Sequence, residues 1–269
     1  MKHYYKRIPH HFSRNVLRLR ALAESSARDG DFFSPAVTEI LPERQEVGLE
    51  WIQGTDRLSR ILGHALLFMN AGAGQQYICS LLESTGKALA GFHGTDSLPL
   101  TPVLELKLGP APLKAASGLE QVKRTLAASA HRPFHGDFGI SNVRFFPDST
   151  RPIFLDPIPS RFCPEPEAMR ASIYYDIAQM VFTLWSVLPF RVYAFLDAGC
   201  QREWTDSFLR GYEQAGGVSL CRKTVWYVAW DLMKRYFEVR VGERRWLRIP
   251  LQTLFRPCFA GLFREFLRV

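Results

Sequence analysis

Cysteine is scarce in this sequence and never paired at short spacing. The five thiols, Cys79, Cys163, Cys200, Cys221 and Cys258, are odd in number and show no C-x-x-C, so neither a zinc site nor a disulfide framework is signalled. They read as buried free thiols of a reducing compartment. The N-terminus MKHYYKRIPHHFSRN is basic but has no apolar core behind it, which excludes a secretory signal. Both features point to a cytoplasmic protein. Long apolar runs are also missing: the best, Met180 to Leu196, is broken by Pro189 and Arg191 and reads as a buried helix pair. There is no internal repeat and no low-complexity tract. A phosphate-binding P-loop is absent too, because NAGAGQQY lacks the lysine and STGKALAG lacks the earlier glycine.

What is present suffices for a large core. With 269 residues, 47% of them apolar, the chain can build one big core or two unequal lobes sharing a cleft. Only 22% of residues are charged, which excludes wholesale disorder. The net charge of +8 is concentrated late, with nine Lys or Arg against three Glu from Lys234 to Val269. Such a tail is either a solvated basic face or a surface for anionic partners. No nucleic-acid-binding motif accompanies it, so nucleic acid is not an expected partner. The end, FRPCFAGLFREFLRV, reads as the last core helix, with peripheral membrane contact as its other reading.

Periodicity divides the chain into a strand-containing front and a helical body. Tyr4 to Ile8 has the texture of a strand, and Asn15 to Ala27 places Val16, Leu19, Leu22 and Ala23 at helical spacing up to Gly30. AVTEI and EVGLEWI, on either side of LPERQ, predict a hairpin, which Gly54 closes. Residues 1–54 thus form a small front. Residues 55–269 are mostly helical, with one embedded hairpin.

That hairpin carries the chemistry. In FHGDFGISNVRFF, Asp137 precedes Asn142 by five residues, and NVRFFPDSTRPIFLDP offers two apolar strands around the turn formers PDST. Folding back about Ser149 would set Asn142 opposite Asp156. A carboxylate and an amide oxygen at one end of a hairpin suit a hard divalent ion such as Mg²⁺, completed by phosphates and water. Asp137, on the loop entering the hairpin, is then a separate carboxylate able to receive a proton from an acceptor hydroxyl. Phosphoryl transfer uses these parts: an Asp, an Asn five residues on, and a later metal-binding Asp.

The motif H-G-D-x-x-x-x-N at His135, Gly136, Asp137 and Asn142, with LDP after it, resembles the aminoglycoside phosphotransferase and choline kinase branch of the protein-kinase-like fold. GLEWIQG resembles that family's hinge, GKALAGFHG its helix ending in Leu-Ala-x-x-His, and YYDIAQM its Asp-Ile-Ala helix start. The similarity runs over about residues 35 to 190. It implies an α+β, two-lobed kinase-like fold with a truncated N-lobe and a large helical C-lobe. It also implies Asp137 as catalytic base, Asn142 and Asp156 as Mg²⁺ ligands, and Glu50, Trp51 and Ile52 as the edge that meets the adenine of ATP. Asp176 would brace the catalytic loop, and His135 and His93 would be packing residues.

The sequence departs from the pattern at its front. Lys6 stands where the phosphate-binding lysine belongs, but no glycine-rich hairpin precedes it, and Arg18, Leu19 and Arg20 occupy the place of the helix glutamate, with Glu24 a turn later. This predicts weak ATP affinity, a restructured N-lobe, or a beginning upstream of this chain. The leading expectation is an ATP- and Mg²⁺-dependent phosphotransferase acting on the hydroxyl of a small molecule or glycan. The basic and aromatic C-terminal region favours a sugar or glycan over a polycationic aminoglycoside. The alternative is a degenerate kinase-like scaffold that has lost turnover.

Overall fold

In the computed structural model, residues 3–68, 71–95, 98–109, 116–186, 198–243 and 248–269 are described. The front consists of β1 (His3–Arg7), α1 (Phe12–Asp29), β2 (Val37–Leu41) and β3 (Glu46–Glu50). Its strands form an antiparallel sheet in the order β1-β3-β2. The expected hairpin around LPERQ forms with a short 3₁₀ turn, Pro42–Arg44, at its tip. α1 lays Val16 and Leu19 against Ile8, Val47 and Leu49, a small separate core, and stops at Gly30, whose φ of 70° any side chain would disfavour. The helix begins three residues earlier than its apolar spacing predicts, because fraying ends carry no periodic signal.

After the turn at Gly54 the chain makes β4 (Asp56–Arg57), α2 (Leu58–Phe68) and α3 (Ala71–His93). β5 (Val103–Leu104), α4 (Ala116–Ala128) and β6 (His131–Pro133) follow, then the embedded hairpin β7 (Val143–Phe145) and β8 (Pro152–Phe154). β4 adds to that hairpin, giving the order β4-β7-β8. β9 (Arg170–Ser172) lies between β5 and β6 and leads into α5 (Tyr174–Ser186), α6 (Ala198–Gly216), α7 (Arg222–Glu243) and α8 (Arg248–Arg268).

α5 is apolar almost all round and is the buried axis of the body, as such a composition requires. The first part of the apolar run from Met180 is therefore helical and buried; residues 187–197 lie outside the described residues. α3 and α6 approach so closely that a Cβ on Gly86 would stand 2.1 Å from the Phe208 carbonyl oxygen, and one on Gly211 would stand 2.1 Å from that of Glu83. None of the five cysteines is in a disulfide, but only Cys163 and Cys258 are buried; Cys79, Cys200 and Cys221 are half-buried, against the expectation that all five are interior. Among the described residues no helix is long and apolar enough to cross a membrane.

Candidate active site

The hairpin register differs from the expectation by half a step. Val143 pairs with Phe154 and Phe145 with Pro152, and the Leu155 amide donates to the Asn142 carbonyl at 3.0 Å. Leu155, not Asp156, therefore faces Asn142. The turn PDST carries Asp148 at a φ of 59° and closes symmetrically between Asp148 and Ser149, which a count centred on one residue misses. Asp156 still reaches the site by another route. Its backbone is left-handed, φ 55°, and this turns the carboxylate out of the strand direction.

The loop before the hairpin hangs from α5. Asp176, fully buried in its first turn, accepts hydrogen bonds from the His135 amide at 2.6 Å and the Gly136 amide at 3.0 Å. It also lies 3.2 Å from His93 Nε2, whose other nitrogen is 2.8 Å from the Tyr212 hydroxyl. One turn on, Gln179 accepts from the Phe138 amide and donates to the Gly136 carbonyl. Thr183 accepts from the Ile140 amide at 3.2 Å. These three side chains peg the loop at both ends. The sequence reading found only Asp176, yet Asp176, Gln179 and Thr183 at i, i+3 and i+7 form a polar stripe on an otherwise apolar helix. Gly136 bends the loop with a φ of 83°, and a Cβ there would press within 3.0 Å of Pro159.

Asp137 is thereby placed at the mouth of a cavity of about 570 Å³ that Lys6 and Asp156 also line. Asn142 donates through its amide nitrogen to the Asp137 carbonyl and to Asp137 Oδ2, each at 2.8 Å. Two acceptors on that side oblige the amide oxygen of Asn142 to point away from Asp137. Burial raises the Asp137 carboxyl from 3.8 to about 6, with the Asn142 hydrogen bond as the main opposing influence. His135, wholly buried, is held neutral, with its pKa lowered by desolvation to about 4. Its Nδ1 accepts from the Asp137 amide at 3.4 Å, so it packs and orients rather than exchanging protons at neutral pH.

Lys6 comes from β1, far from the hairpin in sequence. Its Nζ sits 2.6 Å from Asp156 Oδ1. The structure therefore joins Lys6, Asp137, Asn142 and Asp156 in one place. Glu50, Trp51 and Ile52 do not line the cavity. Glu50 ends β3, where its amide donates to the Ala36 carbonyl at 2.9 Å, while half-exposed Trp51 meets Tyr4 edge-on at 5.6 Å.

Arg18, one of the three residues that stand where the resemblance implies a helix glutamate, is buried at 1% exposure. It donates to the Ala168 carbonyl and to Asn15 Oδ1, and its guanidinium lies 5.1 Å from the centre of the Phe134 ring. Desolvation lowers its pKa to about 10. A cation in this place cannot pair with Lys6, and Lys6 is paired with Asp156 instead. Glu24, about a turn beyond Arg20, makes no ion pair among the described residues.

A small antiparallel sheet with one helix, a connecting turn, and a helical body carrying the Asp137–Asn142 loop and its hairpin make a protein-kinase-like fold with a reduced N-lobe and a helical C-lobe. Solved structures agree. A choline/ethanolamine kinase family protein from Mesorhizobium loti superposes with a TM-score of 0.56 at 13% identity, over 96% of this chain and 82% of that one. A glucosamine kinase gives 0.53 at 16% identity, over 93% of this chain and 68% of that one. Another glucosamine kinase structure, in complex with glucosamine, ADP and inorganic phosphate, gives 0.52 at 15% identity over 90% and 72%. No protein-family model and no curated protein matches the sequence.

Proposed function

We propose that this protein is an ATP- and Mg²⁺-dependent phosphotransferase acting on the hydroxyl of a small molecule, a sugar or glycan rather than an aminoglycoside. The observation that carries the reading is the convergence of Lys6, Asp137 and Asp156 on one cavity, with Asn142 orienting Asp137. Likeness to a choline/ethanolamine kinase family protein and to a glucosamine kinase supports it at the level of fold.

The residues present suit Mg²⁺. Asp156 offers a carboxylate turned out by its left-handed backbone, and Asn142 offers an amide oxygen that its own hydrogen bonds leave outward. Two such oxygens are a normal protein share for an ion that keeps water and phosphate as its other ligands. Bound there, Mg²⁺ would offset charge on the nucleotide phosphates. Asp137 orients the acceptor hydroxyl and takes its proton. The hydroxyl oxygen forms a bond to the γ-phosphorus as the bond to the ADP oxygen breaks, leaving ADP and a phosphate monoester. A carboxyl near 6 lies between its ordinary 3.8 and neutral pH, which suits a base that is ionised yet still basic. Lys6 exchanges Asp156 for a phosphate oxygen when nucleotide enters. Glu50, Trp51 and Ile52, at the end of β3, would offer backbone groups to the adenine.

One observation favours a second reading, a kinase-like scaffold without turnover: Arg18 stands in place of the acidic partner of Lys6. The two readings part in one experiment. ADP formation from ATP and Mg²⁺ is measured over a panel of hydroxyl compounds with the native chain and with Asp137→Asn. The phosphotransferase reading expects turnover that falls by about 10²-fold or more in the variant, with nucleotide binding retained. Equal activity in the variant refutes the role of Asp137; Mg²⁺-dependent nucleotide binding with no turnover on any acceptor supports the scaffold.

A further inference from the structure

Arg18 is a buried charge that the proposed transfer does not use. It has 1% exposure, no carboxylate in hydrogen-bond reach among the described residues, and an Nε without a partner. Burial of that kind is costly, and an apolar side chain of similar length would avoid the cost. What Arg18 touches gives it another reason to be there. From α1, in the front, it donates to Asn15 Oδ1 on its own helix and to the Ala168 carbonyl in the body, two residues before β9. Its guanidinium lies 5.1 Å from the centre of the Phe134 ring, and Phe134 directly precedes His135, Gly136 and Asp137. Of the neighbours that act most on its charge, Asp176 is the one carboxylate: Arg14 is a second cation, and burial keeps the Cys163 thiol and the Tyr175 hydroxyl protonated. Asp176 in turn holds the His135 and Gly136 amides.

We infer that Arg18 is a positioning residue for the loop of Asp137, acting from the front of the molecule through the Phe134 ring and beside Asp176. The inference rests on the phosphotransferase reading of Asp137 and deepens it. A ring face on one side and a carbonyl acceptor on the other fix the guanidinium plane, and the ring so held sets where the next three residues start. The front does not hang on this contact alone. His11 Nδ1 lies 3.1 Å from Glu167 Oε1, and Arg14 pairs with Glu167 Oε2, so α1 keeps a second, exposed tie to the segment before β9. Lys6, on β1, takes part in neither tie. Loss of Arg18 therefore loosens the loop and leaves Lys6 with the nucleotide, whereas loss of an acid paired with Lys6 would weaken nucleotide binding. On this account a cation in α1 belongs to a working site.

The test compares the full native chain with Arg18→Met, Arg18→Lys and Glu167→Gln. Turnover of ATP and Mg²⁺ is measured with glucose and glucosamine as acceptors, and hydrogen exchange at the His135 and Gly136 amides is followed by NMR. Met keeps the length of arginine and removes its charge and donors. Arg18→Met is expected to lower kcat by about tenfold or more, to keep the KM for ATP within about threefold, and to speed exchange at both amides by at least about tenfold. Arg18→Lys, which keeps a charge and a donor, should recover at least about threefold of each loss, and Glu167→Gln, which cuts only the exposed tie, should stay within about twofold of the native chain. Native-like kcat and exchange in Arg18→Met overturn the inference, as does a raised KM for ATP at unchanged kcat, or a Lys variant no better than Met. Should Arg18→Met not fold, Phe134→Leu removes the ring face and must show the same losses at unchanged KM; native-like values there overturn the inference equally. If neither sugar is turned over, the exchange rates alone decide the role of Arg18. The phosphotransferase reading itself falls on a different result: no Mg²⁺-dependent binding of ATP to the native chain.

Discussion

Replacing Asp137 by Asn should make the protein more stable at alkaline pH, even though it removes the proposed catalytic base. In the folded chain the Asp137 carboxyl titrates near 6 rather than at its ordinary 3.8, because burial disfavours the anion. The folded state therefore binds this proton more tightly than the unfolded state does. Stability from this group is highest below 3.8, falls as pH rises from there to about 6, and stays low above it. The gap corresponds to at most about 3 kcal/mol well above pH 6, about 1.6 kcal/mol at pH 5 and about 0.6 kcal/mol at pH 4. Residual solvation at the cavity mouth makes about half of each figure the realistic expectation. Asn is nearly isosteric and retains a carbonyl oxygen for the Asn142 amide, so little else should change. For a chain of this size about 1.5 kcal/mol raises the thermal midpoint by about 3 to 6 °C. Thermal unfolding of native and variant chains at pH 4, 5 and 8 measures this. A gain that grows with pH agrees with the buried, desolvated carboxylate; equal destabilisation at pH 4 and pH 8 refutes it and makes Asp137 an ordinary structural acid.

Further outcomes follow from the same geometry. The rate of phosphoryl transfer under limiting acceptor should fall below about pH 6 with a slope of one, since protonated Asp137 cannot accept the hydroxyl proton; a flat profile from pH 7 to pH 5 would assign the base elsewhere. Asp176→Ala strands the His135 and Gly136 amides and should cost about 3 kcal/mol or more, seen as a lowered denaturant midpoint; a loss below about 1 kcal/mol would mean that the loop does not hang from α5. Gly211→Ala sets a methyl group 2.1 Å from the Glu83 carbonyl oxygen and should cost about 1 to 3 kcal/mol, whereas Gly242→Ala, where a Cβ meets nothing within 4 Å, should be neutral or slightly stabilising.

The legible part of this molecule lies in short-range pattern. The helical spacing of Val16, Leu19 and Leu22, the hairpin flanking LPERQ, the loop of Asp137 and Asn142 and the turn PDST all declare themselves within a dozen residues, where propensity and turn chemistry act. What was not legible depended on contacts between distant segments. The hairpin register is one such case: Leu155 replaced Asp156 opposite Asn142 because the turn closes between two residues, while Asp156 gained its direction from a backbone angle. The roles of Gln179 and Thr183 are another, since both act on a loop some forty residues away.

The amino-acid sequence by itself determined the chemistry available: which carboxylates, which amide, which lysine, and the local turns that hold Asp137 and Asn142 five residues apart. Only tertiary structure decided that Lys6 meets Asp156 and that Arg18 is buried where an acid was expected. The physical reason is range. Hydrogen-bonded turns and helical faces are set by neighbours along the chain, but the charge balance of a cavity is a sum over strands and helices that only packing brings together.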